Sequence, residues 1–170
     1  MERLINFLRT RRSIREYKDK KIPKEIIIEI LKTAMYSPSA HDKQPWEFFV
    51  VDERGILNEI SNNHPYAKML KKSPTAIVVL ADTKKQPDKG YFSQDCSAAT
   101  MNIFLSAWAF GIGSCWIGVF PKEERIEWMK KILKIPERYV PFSIVSLGYP
   151  VKPPEEIERF DEKRIHINVW

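Results

Sequence analysis

An uncharged segment in the middle of the chain is the sequence feature that most restricts how it can fold. From Cys96 to Pro121 the sequence reads CSAATMNIFLSAWAFGIGSCWIGVFP, without one Asp, Glu, Lys or Arg. Its length exceeds the ~20 residues that a membrane-spanning helix needs. It also contains Asn102 and the pair Gly111 and Gly113, and glycine commonly ends a helix in a left-handed conformation. We therefore predict a buried helix, a tight turn and a buried strand here, and no membrane partner.

The hydrophobic pattern on both sides of this segment predicts a series of helices and strands. Apolar residues that recur every three or four positions indicate helices, and short runs of β-branched and aromatic residues between turn formers indicate strands. No linker divides the chain, so we predict a single domain over residues 1–170. Helices are predicted at residues 2–10, 23–35, 55–63, 91–110 and 121–133, a helical turn at 67–73, and strands at 46–52, 75–82, 114–120 and 141–148.

Two parts of the chain predict a second subunit. The helix at 91–110 is apolar nearly all round in its second half, and such a helix must be covered on every side. The tail after Pro153 and Pro154 ends in the alternating RIHINVW, which has apolar positions but no local partner. We expect the sheet to cover one side of the helix, and a neighbouring subunit to pack against the tail.

Composition limits the class of protein and its surroundings. Hydrophobic residues make up 44% of the chain, too many for a disordered protein. The net charge of +6 favours anionic partners without identifying one. Cys96 and Cys115 stand in apolar surroundings without metal-ligand spacing. We expect buried reduced thiols and a cytoplasmic location, and the first residues lack the order of a secretory signal.

A cluster of cations near the N-terminus, TRRSIREYKDKK, is the strongest candidate for a binding site. Arg11, Arg12 and Arg15 lie around Ser13. Guanidinium forks, a hydroxyl and backbone N–H groups together match a phosphate dianion. The residues alone leave this open, since an ordinary solvated basic surface has the same composition. The lysines within residues 18–21 are interpreted as such a surface.

Motifs for several other chemistries are missing from the sequence. The chain has neither the GxGxxG nor the GxxxxGK[ST] pattern, and no GxSxG nucleophile elbow. His41, His64 and His166 stand at no metal-ligand spacing and are interpreted as surface or packing residues. We predict no metal site and assign no catalytic side chain, so an enzyme built on this chain needs a cofactor. Aromatic residues are not interleaved with the basic ones, which argues against a nucleic-acid partner.

Four separated stretches together resemble the nitroreductase family of FMN-dependent oxidoreductases. They are RRSIREY (11–17), SPSAHDKQPWEFFVV (37–51), GIGSCWIGVF (111–120) and RFDEKRIHINVW (159–170), and their order and spacing match the compact members. The resemblance implies an α+β fold with a central, mostly antiparallel sheet flanked by helices. It also implies a homodimer with FMN at the subunit interface, in which the C-terminal arm of one subunit packs on the partner subunit.

The resemblance implies which residues bind FMN. Arg11 and Arg159 match phosphate-binding arginines, whereas Arg15 and Lys68 match cations placed near the flavin ring. Because reduced FMN carries negative charge, cations there favour electron uptake. The Gly118 N–H is implied to lie near flavin N5, and residues 38–40 are implied to come from the partner subunit. The full set is Arg11, Arg12, Ser13, Arg15, Pro38, Ser39, Ala40, Lys68, Trp116, Ile117, Gly118 and Arg159.

The chain departs from the family pattern at two positions. Asp42 stands where the family usually has Asn in its N-x-Q-P-W loop, and an ionised carboxylate near the flavin opposes reduction. Ile157 stands where some members have a second basic residue, two positions before Arg159. We expect FMN binding to survive both changes, and Asp42 to affect the redox potential and the choice of substrate.

The activity implied by the resemblance is hydride transfer. NADH or NADPH reduces the flavin at N5, and a small electron acceptor such as a nitroaromatic or a quinone then binds at the same face, in a ping-pong order. Two alternatives stay open. One is a flavin-binding storage or sensing protein with little turnover, and the other is a basic nucleic-acid-binding module without flavin.

Overall fold

Four antiparallel strands and five α-helices form the structure, a computed structural model that describes residues 2–170. Two 3-10 turns lie between them, at Ala40–Asp42 and Lys68–Lys71, and a third follows the last strand, at Glu162–Arg164. The α-helices are α1 (Glu2–Thr10), α2 (Lys24–Ala34), α3 (Arg54–Asn63), α4 (Lys89–Ala109) and α5 (Glu123–Leu133), and the strands are β1 (Trp46–Val51), β2 (Thr75–Asp82), β3 (Gly113–Gly118) and β4 (Tyr139–Gly148).

The strands form one sheet in the order β1-β2-β4-β3, and every neighbouring pair is antiparallel. The central strands β2 and β4 lie between the two edge strands. β3 pairs with β4 from Gly113 opposite Gly148 to Gly118 opposite Ser143, and its other edge carries no further strand of the described chain. This arrangement confirms the predicted α+β fold with a central antiparallel sheet.

The uncharged segment forms the helix, turn and strand that its glycines predict. α4 ends at Ala109, the Ile112 N–H donates to the Ala107 carbonyl oxygen across 2.9 Å, and β3 begins at Gly113. Gly111 has a φ of 69°, a backbone conformation that glycine adopts without strain. Within residues 2–170, no helix combines the length and the hydrophobicity that a bilayer span requires.

The sheet separates two hydrophobic cores. β2 is buried along its whole length, and its side chains alternate between the two. Leu57 of α3 and Met129 of α5 lie in one core, whereas Ile30 of α2 and Ile103 of α4 lie in the other. Each such buried side chain contributes roughly 1.5–3 kcal/mol. The helices therefore hold both faces of the sheet, and the sheet covers one side of α4 as predicted.

Apolar side chains remain exposed at both ends of the chain. α1 has no buried residue, and Leu4 is 71% exposed. In the segment that follows β4, Phe160 is 72% exposed, Ile167 76% and Trp170 99%. The tail therefore finds no cover within its own chain, in agreement with the sequence analysis. Its packing on a partner subunit stays a prediction.

β3 ends earlier than the sequence pattern predicts. The N–H groups of Val119 and Phe120 both donate to the Phe142 carbonyl oxygen, at 3.2 and 3.0 Å. Val119 and Phe120 therefore stand opposite the single residue Phe142, which interrupts the hydrogen-bond ladder between β3 and β4. The following helix begins at Glu123 rather than at Pro121. The strand thus finishes with Gly118 at the edge of the sheet.

Candidate functional site

The arginine loop, residues 11–15, lies along the outer edge of β3. The Ile14 N–H donates to the Ser114 carbonyl oxygen across 2.9 Å, and Ser13 forms a parallel bridge with Ser114. A Cβ added to Gly113 would stand 2.7 Å from the Ile14 Cβ, so the loop approaches the strand this closely because residue 113 is glycine. The sheet therefore supports the loop and positions its cations.

Tyr17 holds the loop from the inside. Its buried hydroxyl donates to the Ile14 carbonyl oxygen at 2.6 Å and lies 2.7 Å from the Ser146 hydroxyl. Burial raises the pKa of Tyr17 above its usual value, so the hydroxyl stays protonated and keeps its donor. A Cβ on Gly148 would lie 2.6 Å from the Tyr17 ring. A second glycine is therefore needed at this end of the sheet.

Two adjoining cavities open along the arginine loop and β3. The loop cavity, of about 500 Å³, lies between the arginine loop and the segment 152–159. The strand cavity, of about 690 Å³, lies between β3 and the turn Lys68–Lys71. Arg15 and Glu16 line both, which makes the cavities neighbours. The predicted site residues among the linings are Arg12, Ser13, Arg15 and Arg159 in the loop cavity, and Arg15, Lys68, Trp116, Ile117 and Gly118 in the strand cavity.

The loop cavity is lined by the cations of Arg12, Arg15, Lys152 and Arg159 and by the carboxylates of Glu16 and Glu155, and none of these six forms an ion pair within residues 2–170. Arg11, Arg12, Arg15 and Arg159 form no ion pair with an Asp or Glu among residues 2–170. Burial lowers the pKa of Arg11, and the nearby cations of Arg12 and Arg159 lower it further. Like charges are thus crowded here, and a bound dianion relieves that crowding.

Arg12 differs from the other arginines because the backbone already uses its guanidinium. It donates to the carbonyl oxygens of Arg9, Arg11 and Ile157. Arg9 belongs to the last turn of α1, and Ile157 belongs to the segment that carries Arg159. Arg12 therefore connects α1, the arginine loop and the segment 152–159 by hydrogen bonds. Its main effect is on the shape of the loop cavity rather than on its charge.

The strand cavity is bounded by the outward edge of β3. Along a strand the backbone groups of alternate residues face the same side, so the groups of Trp116 and Gly118 face outward like those of Ser114. The Gly118 carbonyl oxygen accepts from His64 Nε2 at 2.9 Å and from the Arg125 guanidinium at 2.9 Å. The Gly118 N–H therefore faces the free edge of the sheet, beside the cavity.

Side chains of β3 contribute unequally to the strand cavity. Ile117 is 1% exposed and adds little surface to the cavity. Trp116 is exposed, and its ring also packs against the rings of Phe104 and Phe142, with centroids 6.0 and 5.8 Å away. The edge thus presents backbone groups and one aromatic side chain.

Both cysteines are free and buried, as the sequence predicts. Burial raises the pKa of Cys96 to about 12. Burial also raises the pKa of Cys115, although Arg15 and the Ser13 hydroxyl act in the opposite direction. A thiol with a raised pKa stays protonated at neutral pH and is a poor nucleophile. Cys115 therefore belongs to the packing beneath the arginine loop.

Pro38, Ser39 and Ala40 lie apart from both cavities. The Ala40 N–H donates to Asp95 Oδ1 of α4 at 2.8 Å, and the Ser39 hydroxyl accepts from the Gln44 N–H at 2.9 Å. Neither cavity of the described chain is lined by these three residues. A single chain therefore brings the arginines, Lys68 and β3 together but does not bring this loop to them.

His64, Tyr66 and Arg125 are site residues that the sequence analysis missed. Tyr66 lines the strand cavity, and the other two bind the carbonyl oxygen of Gly118. His64 is 2% exposed and was expected only to fill space or lie on the surface. The sequence signal for them was the proline that follows His64. It ends α3 a few residues before Lys68, which was predicted to bind FMN.

Comparison with known proteins identifies the family. A family model described as "Nitroreductase family" matches residues 8–64 and 57–149. A relative from Archaeoglobus fulgidus is 47% identical, with 100% of each chain covered. A relative from Methanothermobacter thermautotrophicus is 44% identical over 98% of this chain and 87% of its own. Both carry the provisional name NADH dehydrogenase/NAD(P)H nitroreductase.

A solved structure agrees with the sequence relatives. The FMN-dependent nitroreductase from Clostridium difficile superposes with a TM-score of 0.90 at 35% identity, over 98% of this chain and 99% of its own. The fold and the cavities define an α+β protein with two cavities along one edge of its sheet. The chain belongs to the nitroreductase family, which confirms the resemblance found in the sequence.

Proposed function

We propose that the chain is an FMN-dependent oxidoreductase that takes reducing equivalents from NADH or NADPH and passes them to a small electrophile such as a nitroaromatic or a quinone. One observation carries the proposal: Arg12, Arg15 and Arg159, which form no ion pair within residues 2–170, line a cavity that adjoins the outward edge of β3. A phosphate group at one end and a flat ring at the other fit this pair of cavities. The names of the relatives support the same enzyme class.

The loop cavity fits the phosphate of FMN. Arg15 and Arg159 supply cations and Ser13 supplies a hydroxyl. Arg11 lies outside the lining, with its guanidinium 5.4 Å from the centre of the Phe104 ring, and adds to the like-charge crowding that disfavours the site without an anion. Charge-assisted hydrogen bonds from guanidinium groups suit a phosphate dianion. Arg12 keeps the cavity in shape through its backbone contacts.

The strand cavity fits the flavin ring. Lys68 and Arg15 place positive charge at this cavity, where it favours the reduced, anionic form of a bound ring. The Gly118 N–H faces the cavity as a hydrogen-bond donor, and Trp116 and Ile117 continue the same edge. Gly118 has no atom within 4 Å of where a Cβ would stand, so the backbone is open to a ligand.

FMN held by these residues would supply hydride transfer between NADH or NADPH and the second substrate. The residues of this chain bind, orient and set the charge around that group, and no side chain is assigned as a proton donor. One shared face for both substrates implies a ping-pong order, so initial-velocity plots at several acceptor concentrations should be parallel. Intersecting lines would indicate a ternary complex.

A homodimer completes the site in this proposal. Pro38, Ser39 and Ala40 lie away from the cavities of their own chain and are available to those of a partner subunit. Exposed apolar residues on α1 and on the tail supply surface for the contact.

Asp42 Oδ1 accepts from Gln44 Nε2 at 2.8 Å within its own loop, which reduces the effect of its charge on a neighbouring flavin. The chain acts as one domain, and its buried thiols suit a cytoplasmic location.

An absorbance spectrum of the purified protein tests the cofactor. We expect a flavin spectrum with one FMN per subunit, and bleaching within seconds when NADH or NADPH is added without oxygen. A protein that binds FMN but is reduced by neither nucleotide would be a storage or sensing protein instead. A colourless protein that takes up no added FMN, even as a dimer, would overturn the proposal.

A further inference from the structure

We propose that His64 and Arg125 are positioning residues for the reaction, which hold the Gly118 carbonyl group and so fix the end of β3 at the strand cavity. The inference rests on the proposed function for what lies in the cavity. Neither side chain lines the loop cavity or the strand cavity. They act through the backbone of the last residue of β3.

Two donors converge on one carbonyl oxygen from opposite directions in the chain. His64, the residue that ends α3, approaches Gly118 O with Nε2 at 2.9 Å. Arg125, in α5, donates to the same oxygen at 2.9 Å. A carbonyl oxygen has two lone pairs, so this acceptor is fully used. The direction of the Gly118 carbonyl is therefore set by α3 and α5 together.

The hydrogen bonds around His64 fix its tautomer. Its Nδ1 accepts the Tyr66 N–H at 3.2 Å, so the proton of the neutral ring belongs on Nε2. That nitrogen is the one that faces the Gly118 carbonyl oxygen. His64 is therefore a donor to Gly118 in its neutral form, and its orientation is imposed by the backbone of the turn that follows it.

Gly118 needs outside support because the sheet provides little at this point. The ladder with β4 ends at this residue, and the next two N–H groups converge on the Phe142 carbonyl oxygen. Glycine has more backbone freedom than any other residue, and no Cβ restricts it here. The Gly118 N–H belongs to the preceding peptide group, whose Ile117 carbonyl faces β4, so the sheet orients that side of the residue. His64 and Arg125 hold the following peptide group, and without them the end of β3 at the cavity would have no fixed direction.

The same two side chains also hold a wall of the strand cavity. The Arg125 guanidinium lies 5.6 Å from the centre of the Tyr66 ring, within the range of a cation–π contact. Tyr66 lines the cavity next to Lys68. Loss of either positioning residue therefore loosens the end of β3 and a cavity wall at once.

The first test measures Gly118 itself, in protein without added cofactor. The variants are His64→Leu and Arg125→Met, with His64→Gln as the conservative change that keeps a donor. Lys131→Met, on the exposed side of α5, is the matched control. Labelling with ¹⁵N-glycine gives six signals, and Gly118→Ala identifies the relevant one by its disappearance.

We expect the heteronuclear NOE of the Gly118 amide to fall in His64→Leu and Arg125→Met, and to stay near wild type in His64→Gln and Lys131→Met. The other five glycine signals, which report on the rest of the fold, should not move. A Gly118 amide that stays as ordered as in wild type in both loss variants would overturn the inference, whether or not FMN binds.

The second test measures the reaction in protein reconstituted with FMN. We expect the loss variants to shift the midpoint potential of the bound flavin and to slow its reduction by NADH or NADPH about tenfold, since small misplacements are costly. FMN affinity should fall less than about threefold, because the phosphate contacts remain. An unchanged potential and rate would also overturn the inference. Failure of wild-type protein to bind FMN would contradict the proposed function instead, and the NMR result would still decide whether the two residues hold Gly118.

Discussion

The backbone N–H of Ile14 donates to the carbonyl oxygen of Ser114 across 2.9 Å, and this bond attaches the arginine loop to the sheet. The loop therefore depends on the same strand that borders the strand cavity. A change that moves β3 relative to the N-terminal segment alters both ends of the site together.

Gly113→Val tests this attachment. A Cβ at residue 113 would stand 2.7 Å from the Ile14 Cβ, and such overpacking costs about 1–3 kcal/mol. We expect a lower free energy of unfolding by urea and weaker binding in an FMN titration. Gly90→Ala is the control, since its Cβ would meet only the end of the Asp88 side chain, at 3.0 Å. Equal affinities for FMN in both variants would show that the loop does not rely on this contact.

Arg159→Met separates binding from stability. Burial lowers the pKa of Arg11 most, and Arg12 and then Arg159 lower it further. Removal of Arg159 takes away one of these two repulsions, so protein without FMN should be as stable as wild type or more so. FMN affinity should fall about tenfold or more, because a hydrogen bond to a charged group is worth ~1.5–3 kcal/mol. Thermal unfolding with and without FMN measures both effects. Lys163→Met, on the exposed tail, should change neither the stability nor the affinity for FMN. An equal loss of affinity in that variant would indicate general electrostatic attraction rather than a specific contact of Arg159.

The free energy of unfolding should depend on pH through His64, and the direction of that dependence follows from its lowered pKa. Burial is the main cause that lowers its pKa below the usual 6.5, with Arg125 acting in the same direction and the Gly118 carbonyl against it. The stability it contributes is present above pH 6.5 and is lost as the pH falls through the lowered pKa. Urea unfolding at pH 7.5 and pH 5 should show a smaller acid loss in His64→Gln than in wild type. His166→Gln, on the exposed tail, should behave like wild type; an unchanged acid loss in His64→Gln would contradict the assignment.

Asp95 supports the loop that is proposed to reach the partner subunit. Its Oδ1 accepts the Ala40 N–H at 2.8 Å, whereas its buried Oδ2 has no partner in the structure. Asp95→Ala should lower the free energy of unfolding by about 1–3 kcal/mol. Asp95→Asn keeps the acceptor and should cost clearly less. Urea titrations of the two variants make the comparison, and equal losses would mean that the volume of the side chain matters more than its bond.

Removal of residues 165–170 tests the dimer. Ile165, Ile167, Val169 and Trp170 are all exposed within one chain, so they contribute to stability only through a partner. We expect light scattering to give a dimer for the full chain and a larger monomer fraction after truncation. A monomeric full chain would contradict the proposed assembly.

Local patterns predicted the elements well because the forces that set them are local. The first helix and the second strand were predicted with the bounds that the structure has, at 2–10 and 75–82. The glycines at 111 and 113 marked the turn before β3, since a left-handed residue and a close approach both require glycine. The end of β3 was predicted two residues too late, because the shared Phe142 acceptor is a property of the paired strand.

The support of the site was not predictable in the same way. The cluster of cations predicted the arginine loop, but the hydrogen bond from the Arg12 guanidinium to the Ile157 carbonyl oxygen joins residues 145 positions apart. The bond between His64 and Gly118 spans 54 positions. Neither pair leaves a spacing in the sequence, so His64 resembled any other histidine until the fold placed it beside β3.

The sheet has an unfinished side at β3, where the peptide groups of Trp116 and Gly118 point away from β4. An open strand edge is the surface at which protein chains add to one another. A flat ring bound there, as proposed, would close that edge as a fifth strand would. In that case the group that supplies the chemistry would also protect the chain from edge-to-edge association.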